Sequence, residues 1–241
     1  MPKHGKHYLE AVKEIEPNRL YGPAEGLALA KEAAYAKFNE SIDAHIRLGI
    51  DPRHADQNVR SSVVLPHGTG REPRVLVFTT GEAARIAQEA GADFVGSDDL
   101  VQRIKDGWLG FDAAVAMADQ MGKVGGLGRI LGRRGLMPNP KSGTVVRVPE
   151  DLANVIQELK RGRVEFRNDR TGIIHVSIGK KSFETAALTG NLYALIDAIN
   201  RAKPATVKGV YCRSVTVTST MGPGVPLDVT RLLEEAAANA A

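Results

Sequence analysis

A row of small hydroxyl groups near the C-terminus is the first pattern in this sequence that could do chemistry. Ser214, Thr216 and Thr218 alternate with valines, which predicts a strand with all three hydroxyls on one side. The strand ends in Thr220-Met221-Gly222-Pro223-Gly224, a turn by its residue types, with the methionine outward. Hydroxyls, a thioether and exposed backbone suit contact with a polar polymer. A half-buried edge strand ending in a turn would show the same pattern, so the residues alone leave both interpretations open.

The distribution of charge favours an anionic partner. The 241 residues carry 32 Lys and Arg against 28 Asp and Glu, a formal net charge of +4. The excess is concentrated late in the chain, where residues 160–213 hold 11 basic and 4 acidic side chains. Such a local excess is typical of a surface that binds a polyanion, although a merely solvated basic surface would give the same count.

A glycine-rich, basic segment at 121–143 is the second candidate for chemistry. Gly126 and Gly128 follow a predicted strand, as in a nucleotide-binding turn, but Gly132 comes one residue too late for the dinucleotide fingerprint. The phosphate-binding loop motif of nucleotide hydrolases is absent from the sequence. The segment is otherwise interpreted as a hinge or surface loop, or as a contact for an anionic partner. A nucleotide-binding enzyme that uses residues 122–135 is kept as the alternative hypothesis.

Other residue types give no pattern for catalysis or for a metal. The six histidines fall on separate predicted segments, and none has the spacing of a metal-binding pair with cysteine. The single cysteine, Cys212, excludes an internal disulfide and suits a reducing compartment. Neither a nucleophile-elbow motif nor a paired-carboxylate pattern is present in the sequence. We therefore predict no catalytic residue, no metal site and no cofactor.

Composition is that of an ordinary globular protein. Hydrophobic residues make up 43% and charged residues 25% of the chain, which is long enough to bury a sizeable core. No apolar run approaches the roughly 20 residues that a membrane-spanning helix needs. The N-terminal residues lack the apolar core of a secretory signal. We expect a cytoplasmic protein without membrane contact.

Two kinds of strand pattern divide the chain. Near both ends, strands alternate polar and apolar residues, as in an antiparallel sheet with one face open to solvent. In the middle, short apolar strands at Arg74–Phe78 and Ala113–Ala118 alternate with helices, which is typical of a parallel, doubly wound sheet. We therefore predict a discontinuous α+β domain, residues 1–67 and 160–226, with an open-faced antiparallel sheet. A Rossmann-like α/β domain, residues 68–159, is inserted into it.

The C-terminal tail, residues 227–241, is rich in alanine and is predicted to be a frayed helix or disordered.

The open face of the predicted antiparallel sheet should carry the binding groups. Its polar positions are Asp43, His45, Arg47, Arg163, Glu165, Arg167, His175, Ser177, Ser214, Thr216 and Thr218. Its rim adds Lys37, Phe38, Arg53, Asn168, Asp169, Arg170, Thr220, Met221 and Gly222. Arginines can fix phosphates, and hydroxyls can meet sugar edges. Because the face has no aromatics for base stacking, we expect folded RNA that is read by shape; a solvated or covered face is the alternative.

Seven segments of the sequence form a set that extends through nearly the whole chain in order. They are 36–43, 49–60, 65–70, 90–96, 121–145, 164–175 and 214–223. The most specific are M-G-K-V-G-G-L-G-R-I-L-G-R-R-G-L-M-P-N-P-K-S-G-T-V, at 121–145, and S-V-T-V-T-S-T-M-G-P, at 214–223. Together they resemble the L-one family of large-subunit ribosomal proteins in its bacterial form. The tail beyond Pro226 is not part of the resemblance.

This resemblance implies a discontinuous first domain and an inserted Rossmann-like second domain joined by a hinge. The first domain would bind structured large-subunit ribosomal RNA, and the protein, which is not an enzyme, would form a mobile stalk near the exit site. There it would contact outgoing transfer RNA and help its release. Bacterial members are often also translational repressors of their own operon messenger RNA. The resemblance also implies a protein of the cytoplasmic ribosome that is monomeric when free; a repressor acting off the ribosome is a further alternative.

The resemblance also implies which residues contact RNA. The family's contacts fall on positions matched here by Lys37, Phe38, Arg53, Arg167, Asn168, Asp169, Thr220, Met221 and Gly222. The strand hydroxyls of Ser214, Thr216 and Thr218 complete the predicted RNA-binding set. We expect the turn at Thr220–Gly222 to lie beside Lys37 and Phe38. In the family, the glycine-rich segment belongs to the second domain and is not a cofactor site.

Overall fold

The computed structural model describes residues 5–239. Within them the α-helices are α1 (Lys6–Lys13), α2 (Pro23–Glu32), α3 (Glu82–Glu89), α4 (Asp98–Lys105), α5 (Met121–Gly125), α6 (Gly128–Arg134), α7 (Asp151–Arg161), α8 (Thr185–Arg201) and α9 (Val229–Asn239). The strands are β1 (Ser41–Leu48), β2 (Arg60–Val64), β3 (Val75–Phe78), β4 (Phe94–Gly96), β5 (Ala113–Met117), β6 (Val145–Val146), β7 (Arg163–Arg167), β8 (Ile173–Lys180), β9 (Cys212–Ser219) and β10 (Val225–Leu227). None of the helices in the described range combines the length and the apolar character needed to cross a bilayer.

These elements form two compact units. The first unit comprises the chain up to Gly70 and from Val164 onward, and the second comprises Arg71–Arg163.

A four-stranded antiparallel sheet, in the order β10-β9-β1-β8, is the centre of the first unit. On β1, Ile42, Ala44 and Ile46 are fully buried in a core that includes residues of α2, α8 and α9. The residues between them point to the other face, where Asp43 and His45 are half-buried and Arg47 is exposed. The alternation in sequence thus sets which face is covered, and the predicted open-faced antiparallel sheet is confirmed.

One strand that was predicted to lie on this face does not. β7 pairs with β2 in a separate two-stranded sheet. Past the end of β7, an isolated bridge between Asn168 and Ile174 joins the turn to β8. The placement of Arg163, Glu165 and Arg167 on the open face is therefore wrong. The alternation in β7 indicates which of its residues share a side, but it carries no information about which strand is the partner.

The second unit is built on a parallel sheet in the order β4-β3-β5-β6. All four residues of β3 are fully buried, because separate apolar clusters cover the two faces of the sheet. A strand buried on both faces reads as a continuous apolar run, which is what Arg74–Phe78 shows in the sequence. The predicted parallel α/β architecture is confirmed.

The glycine-rich segment is mostly helical and not a loop. α5 and α6 occupy most of it, and Val124, Leu127 and Leu131 are fully buried against the core of the second unit. Glycine has a low intrinsic helix propensity, but burial of apolar side chains at helical spacing overrides that preference.

The alanine-rich tail also differs from the expectation. The first residue of the tail ends β10, and α9 follows with Leu232 and Ala236 buried in the core of the first unit. Tyr193 on α8 donates a hydrogen bond from its hydroxyl to Glu235 at 2.5 Å. A frayed or disordered tail is therefore wrong for the residues described, up to Asn239. The apolar positions within the alanines are enough to dock the helix.

Candidate nucleic-acid interface

Thr220–Gly222, which we call the methionine turn, lies against the loop at residues 36–40. Glu40 joins the two segments: its Oε1 accepts a hydrogen bond from the backbone N of Ala36 at 2.7 Å, and its Oε2 accepts one from the N of Met221 at 2.9 Å. Glu40 is completely buried. A buried carboxylate that accepts two backbone N–H groups makes strong, charge-assisted bonds, so it holds both segments in one arrangement.

Hydrogen bonds between Ser41 and Thr220 strengthen this attachment. The N of Thr220 donates to the carbonyl oxygen of Ser41 at 3.1 Å, and the N of Ser41 donates to Oγ1 of Thr220 at 3.0 Å. The hydroxyl of Thr220 is therefore already engaged inside the protein. Its role in this structure is to position the methionine turn.

Exposed apolar side chains stand on both of the joined segments. Phe38 is 55% exposed and Met221 is 50% exposed, and Lys37 next to Phe38 is exposed as well. Two exposed apolar side chains beside a cation can serve as a contact surface for a partner. An aromatic ring and a thioether can pack on a base or a ribose while the ammonium group meets a phosphate.

Gly222 allows the methionine turn to pack closely against Ser219 and Ala33. A Cβ atom at Gly222 would lie 2.3 Å from Oγ of Ser219 and 3.3 Å from the carbonyl oxygen of Ala33. Ser219 is itself buried, so it has little room to move away. A side chain at this position would push the methionine turn away from its support.

The strand hydroxyls have unequal freedom. Ser214 is exposed and Thr216 is half-buried on the open face, opposite Arg47 and His45 of β1. Oγ1 of Thr218 instead lies 2.8 Å from the carbonyl oxygen of Ser219 and 3.1 Å from that of Gly222. Ser214 and Thr216 are thus free to meet a partner, whereas the Thr218 hydroxyl closes the turn.

The remaining predicted residues gather at an open cleft of about 910 Å³, which we call the arginine cleft. It is lined by Pro52, Arg53, Asn58, Glu165, Arg167, Asn168, Asp169, Arg170 and His175. The Arg53 side chain is 92% exposed, and Arg167 and Arg170 are exposed too. Three guanidinium groups around one cleft give it the hydrogen-bond donors and the positive charge that a phosphate group needs.

Asn168 and Asp169 shape this cleft from within the protein. Oδ1 of Asn168 accepts from the backbone N of Val59 at 2.7 Å, and Oδ1 of Asp169 accepts from the N of Ile173 and of Thr171, each at 2.8 Å. These bonds, led by the one from Ile173, lower the pKa of Asp169 to about 2. Both side chains thus hold the turn between β7 and β8, and the carboxylate stays ionised.

The two groups of residues lie at opposite ends of β1. The methionine turn is bonded to Ser41, where β1 begins, while Leu48, where β1 ends, donates to Gly172 in the turn beside the arginine cleft. The seven intervals between the eight strand residues, at about 3.3 Å each, place the ends roughly 23 Å apart. The open face of the sheet connects them, so the predicted residues form one surface with two distinct ends.

Sequence reasoning missed Glu40. A glutamate just before a strand is most often a solvated side chain, and its sequence neighbours give no sign of burial. The one available signal is its position, between the exposed Phe38 and the first residue of a strand that pairs with β9.

The glycine-rich segment does not have the geometry of a nucleotide site. The dinucleotide fingerprint needs its glycines in the turn that directly follows a strand. Here a 3-10 turn at Ala118–Gln120 and α5 follow β5, and Gly126 and Gly128 come only after α5. Within the described range, the side chains also include no group of three His, Cys, Asp or Glu that could hold a metal ion. Burial raises the pKa of the Cys212 thiol to about 11, so at neutral pH it is not a nucleophile.

The chain matches a known protein family over a range that includes this surface. Residues 30–223 match the model of the "Ribosomal protein L1p/L10e family", a range that includes the loop at 36–40, the arginine cleft and the methionine turn. The chain belongs to this family. It is 68% identical over 236 residues to the "Large ribosomal subunit protein uL1" of Thermomicrobium roseum, covering 98% of each chain. It is 61% identical over 230 residues to the protein of the same name from Chloroflexus aggregans, covering 95% of this chain and 97% of the relative.

Family membership settles the coarse function. The chain is a structural protein of the large ribosomal subunit and not an enzyme, and its place is the ribosome in the cytoplasm. The resemblance found in the sequence is confirmed, and the alternative of a nucleotide-binding enzyme is excluded by the same finding.

Proposed function

We propose that the first unit binds folded RNA of the large ribosomal subunit across the open face of its antiparallel sheet. The observation that carries this proposal is the methionine turn, held by the buried Glu40 against the loop of Lys37 and Phe38. Two exposed apolar side chains on a rigid support select an RNA by its shape, since they need a complementary surface to be covered.

The arginine cleft supplies the second half of the proposed site. Arg53 and Arg167 neutralise phosphates there, and Ser214 and Thr216 on the open face meet sugar hydroxyls between the two ends. Asn168, Asp169, Thr218 and Thr220 act by holding the backbone of the contact segments. The predicted set of RNA-binding residues is therefore divided into residues that touch RNA and residues that position them.

The experiment compares binding of a large-subunit ribosomal RNA fragment by the wild-type chain and by Met221→Asp. We expect the substitution to weaken binding by about 1–3 kcal/mol, because it places a carboxylate against RNA, and to leave unfolding by urea unchanged. The matched control is Val64→Asp, which puts the same charge in place of another exposed apolar side chain, beside α8 and away from the open face. Equal affinity of wild type and Met221→Asp would refute the assignment of the methionine turn.

We further propose that the protein forms the mobile stalk near the exit site and helps transfer RNA to leave. Membership of the family supports this proposal. Release of a fluorescent transfer RNA from the exit site should be slower with large subunits that lack the protein than with subunits to which it has been added back. Equal release rates would contradict the proposal.

A regulatory role on the chain's own messenger RNA is proposed on the same support. A leader that mimics the ribosomal site would bind the same surface, so Met221→Asp should weaken both interactions together. A reporter gene behind the chain's own operon leader tests this: the wild-type protein should lower its translation, and Met221→Asp should not. Unchanged translation with the wild-type protein would contradict the repressor role.

A further inference from the structure

Two histidines contact each other in the middle of the open face. Nδ1 of His45 and Nδ1 of His175 lie 2.8 Å apart, where β1 and β8 are in register. Two ring nitrogens at that distance share one proton, because two facing N–H groups would repel each other. In this geometry the pair therefore carries at most one positive charge.

That charge belongs on His175. Its Nε2 lies 3.5 Å from Oδ2 of Asp169, a carboxylate that stays ionised because its pKa is held at about 2. Burial, and next the neighbouring His175, lower the pKa of His45, and Asp43 opposes them only weakly. When the pair is charged, His175 donates from both ring nitrogens, to Asp169 and to His45.

A proton on His175 changes the net charge of the arginine cleft substantially, because few charged side chains line the cleft. The charged side chains that line the arginine cleft with His175 are Arg53, Arg167 and Arg170 against Glu165 and Asp169, which leaves a net charge of +1. A proton on His175 raises it to +2. On the sheet side, Asp43 and Arg47 flank His45 along β1, and the residue opposite His45 on β9 is the uncharged Thr216.

We propose that protonation of His175, held between His45 and Asp169, adds a positive charge to the arginine cleft that strengthens its hold on an RNA phosphate, so that RNA binding takes up a proton. The inference rests on the proposed RNA binding of the first unit. A phosphate that enters the cleft meets the carboxylate of Asp169, and the proton on His175 offsets the repulsion. The phosphate in turn stabilises the proton, so affinity must rise as the pH falls through the range in which imidazoles titrate.

The test uses the full chain and a large-subunit ribosomal RNA fragment that the immobilised wild-type chain retains. Binding isotherms at pH 5.5 and pH 7.5 at constant ionic strength should show about fivefold tighter binding at the lower pH, the effect of one added charge close to a phosphate. His175→Gln should bind equally at both pH values.

His54→Gln is the matched control. His54 is also exposed and also faces a carboxylate, with Nε2 3.9 Å from Oδ2 of Asp51, but it is outside the pair. This variant should keep the pH dependence of the wild type. Calorimetry in two buffers of different protonation enthalpy should detect proton uptake by wild type and His54→Gln on binding, and a smaller uptake by His175→Gln.

The outcomes separate this inference from the proposed function. Tight, salt-sensitive binding with the same pH dependence in wild type and His175→Gln would overturn the role of His175 and leave RNA binding intact. Loss of the pH dependence in His54→Gln would also overturn it. Failure of the immobilised wild-type chain to retain any fragment of large-subunit ribosomal RNA, at either pH, would refute the proposed function itself.

Discussion

The two ends of β1 would offer the proposed RNA partner two different kinds of surface. At one end, the buried Glu40 fixes two backbone segments, and what is presented outward is largely apolar: Phe38 and Met221. At the other end, the arginine cleft presents guanidinium groups, among them that of Arg53, whose side chain is almost fully exposed. Charges attract any nucleic acid, whereas a rigid apolar surface is covered only by a matching shape. The difference suggests that the first end selects the RNA and the second strengthens the binding.

The largest effect is expected from replacing Glu40, which holds the methionine turn in place, and it should be an effect on stability. Glu40→Leu leaves the partly buried backbone N–H groups of Ala36 and Met221 without their acceptor, so we expect the free energy of unfolding to fall by about 1–3 kcal/mol. Urea unfolding measures this loss. Glu40→Gln keeps one acceptor oxygen and should lose less. Glu165→Gln, which removes a partly exposed partner of Arg60, is the control and should change stability by less than about 1 kcal/mol. A fully stable Glu40→Leu would show that this carboxylate does not hold the turn.

A substitution in the arginine cleft should have a smaller effect, and this effect should be on RNA binding and its salt dependence. Arg167→Ala is expected to weaken RNA binding by about 1 kcal/mol and to reduce the slope of log affinity against log salt by roughly 0.7–0.9, since one phosphate contact is lost. Met221→Asp should lower affinity more than Arg167→Ala does. Isotherms at four salt concentrations distinguish the two ends. If Phe38→Ala also reduced the slope as Arg167→Ala does, the division between shape and charge would not hold.

The smallest effect is expected from Asp169 as the pH falls. Its folded-state pKa of about 2 lies below its value of about 3.9 in an unfolded chain. The stabilisation from its ionised form is therefore complete above about pH 4 to 5 and is lost as the pH falls towards 2. Asp169→Asn should be less stable than wild type at pH 7, and the difference between them should shrink below pH 4. A difference that is constant from pH 7 to pH 3 would contradict this origin.

Much of the fold could be predicted from the sequence because burial has a simple period. The alternation in β1 indicated which of its faces is covered, and the continuous apolar run of β3 indicated a strand covered on both faces. The partner of β7 was not predictable in this way, since its attachment depends on Asn168 bonding to Val59, more than 100 positions away. The helices of the glycine-rich segment were not predictable in this way either, because burial of their leucines outweighs the low helix propensity of their glycines.

The residue types of the candidate site could be predicted from the sequence. Which of these side chains are free and which hold the backbone could not. Phe38 and Met221 stand out in a sequence as apolar residues in polar, turn-like surroundings. Whether a hydroxyl is free or engaged can depend on backbone atoms that are distant in sequence: Ser214 is exposed, whereas the Thr220 hydroxyl accepts a bond from the N of Ser41. Glu40 was missed for the same reason, because its carboxylate becomes a structural support only when the methionine turn, 181 positions away in sequence, packs beside it.

The bond between Glu40 and Met221 has a consequence for the order in which the protein is made. It joins residues separated by 181 positions in the sequence, so closing it costs the entropy of a very long loop. During synthesis, β1 and the loop of Phe38 leave the ribosome early, whereas the methionine turn is among the last segments to emerge. The second unit, whose strands all lie between these points, can fold before then as a unit of its own. The selective surface therefore exists only once the chain is nearly complete, and an unfinished chain has nothing with which to hold an RNA by its shape.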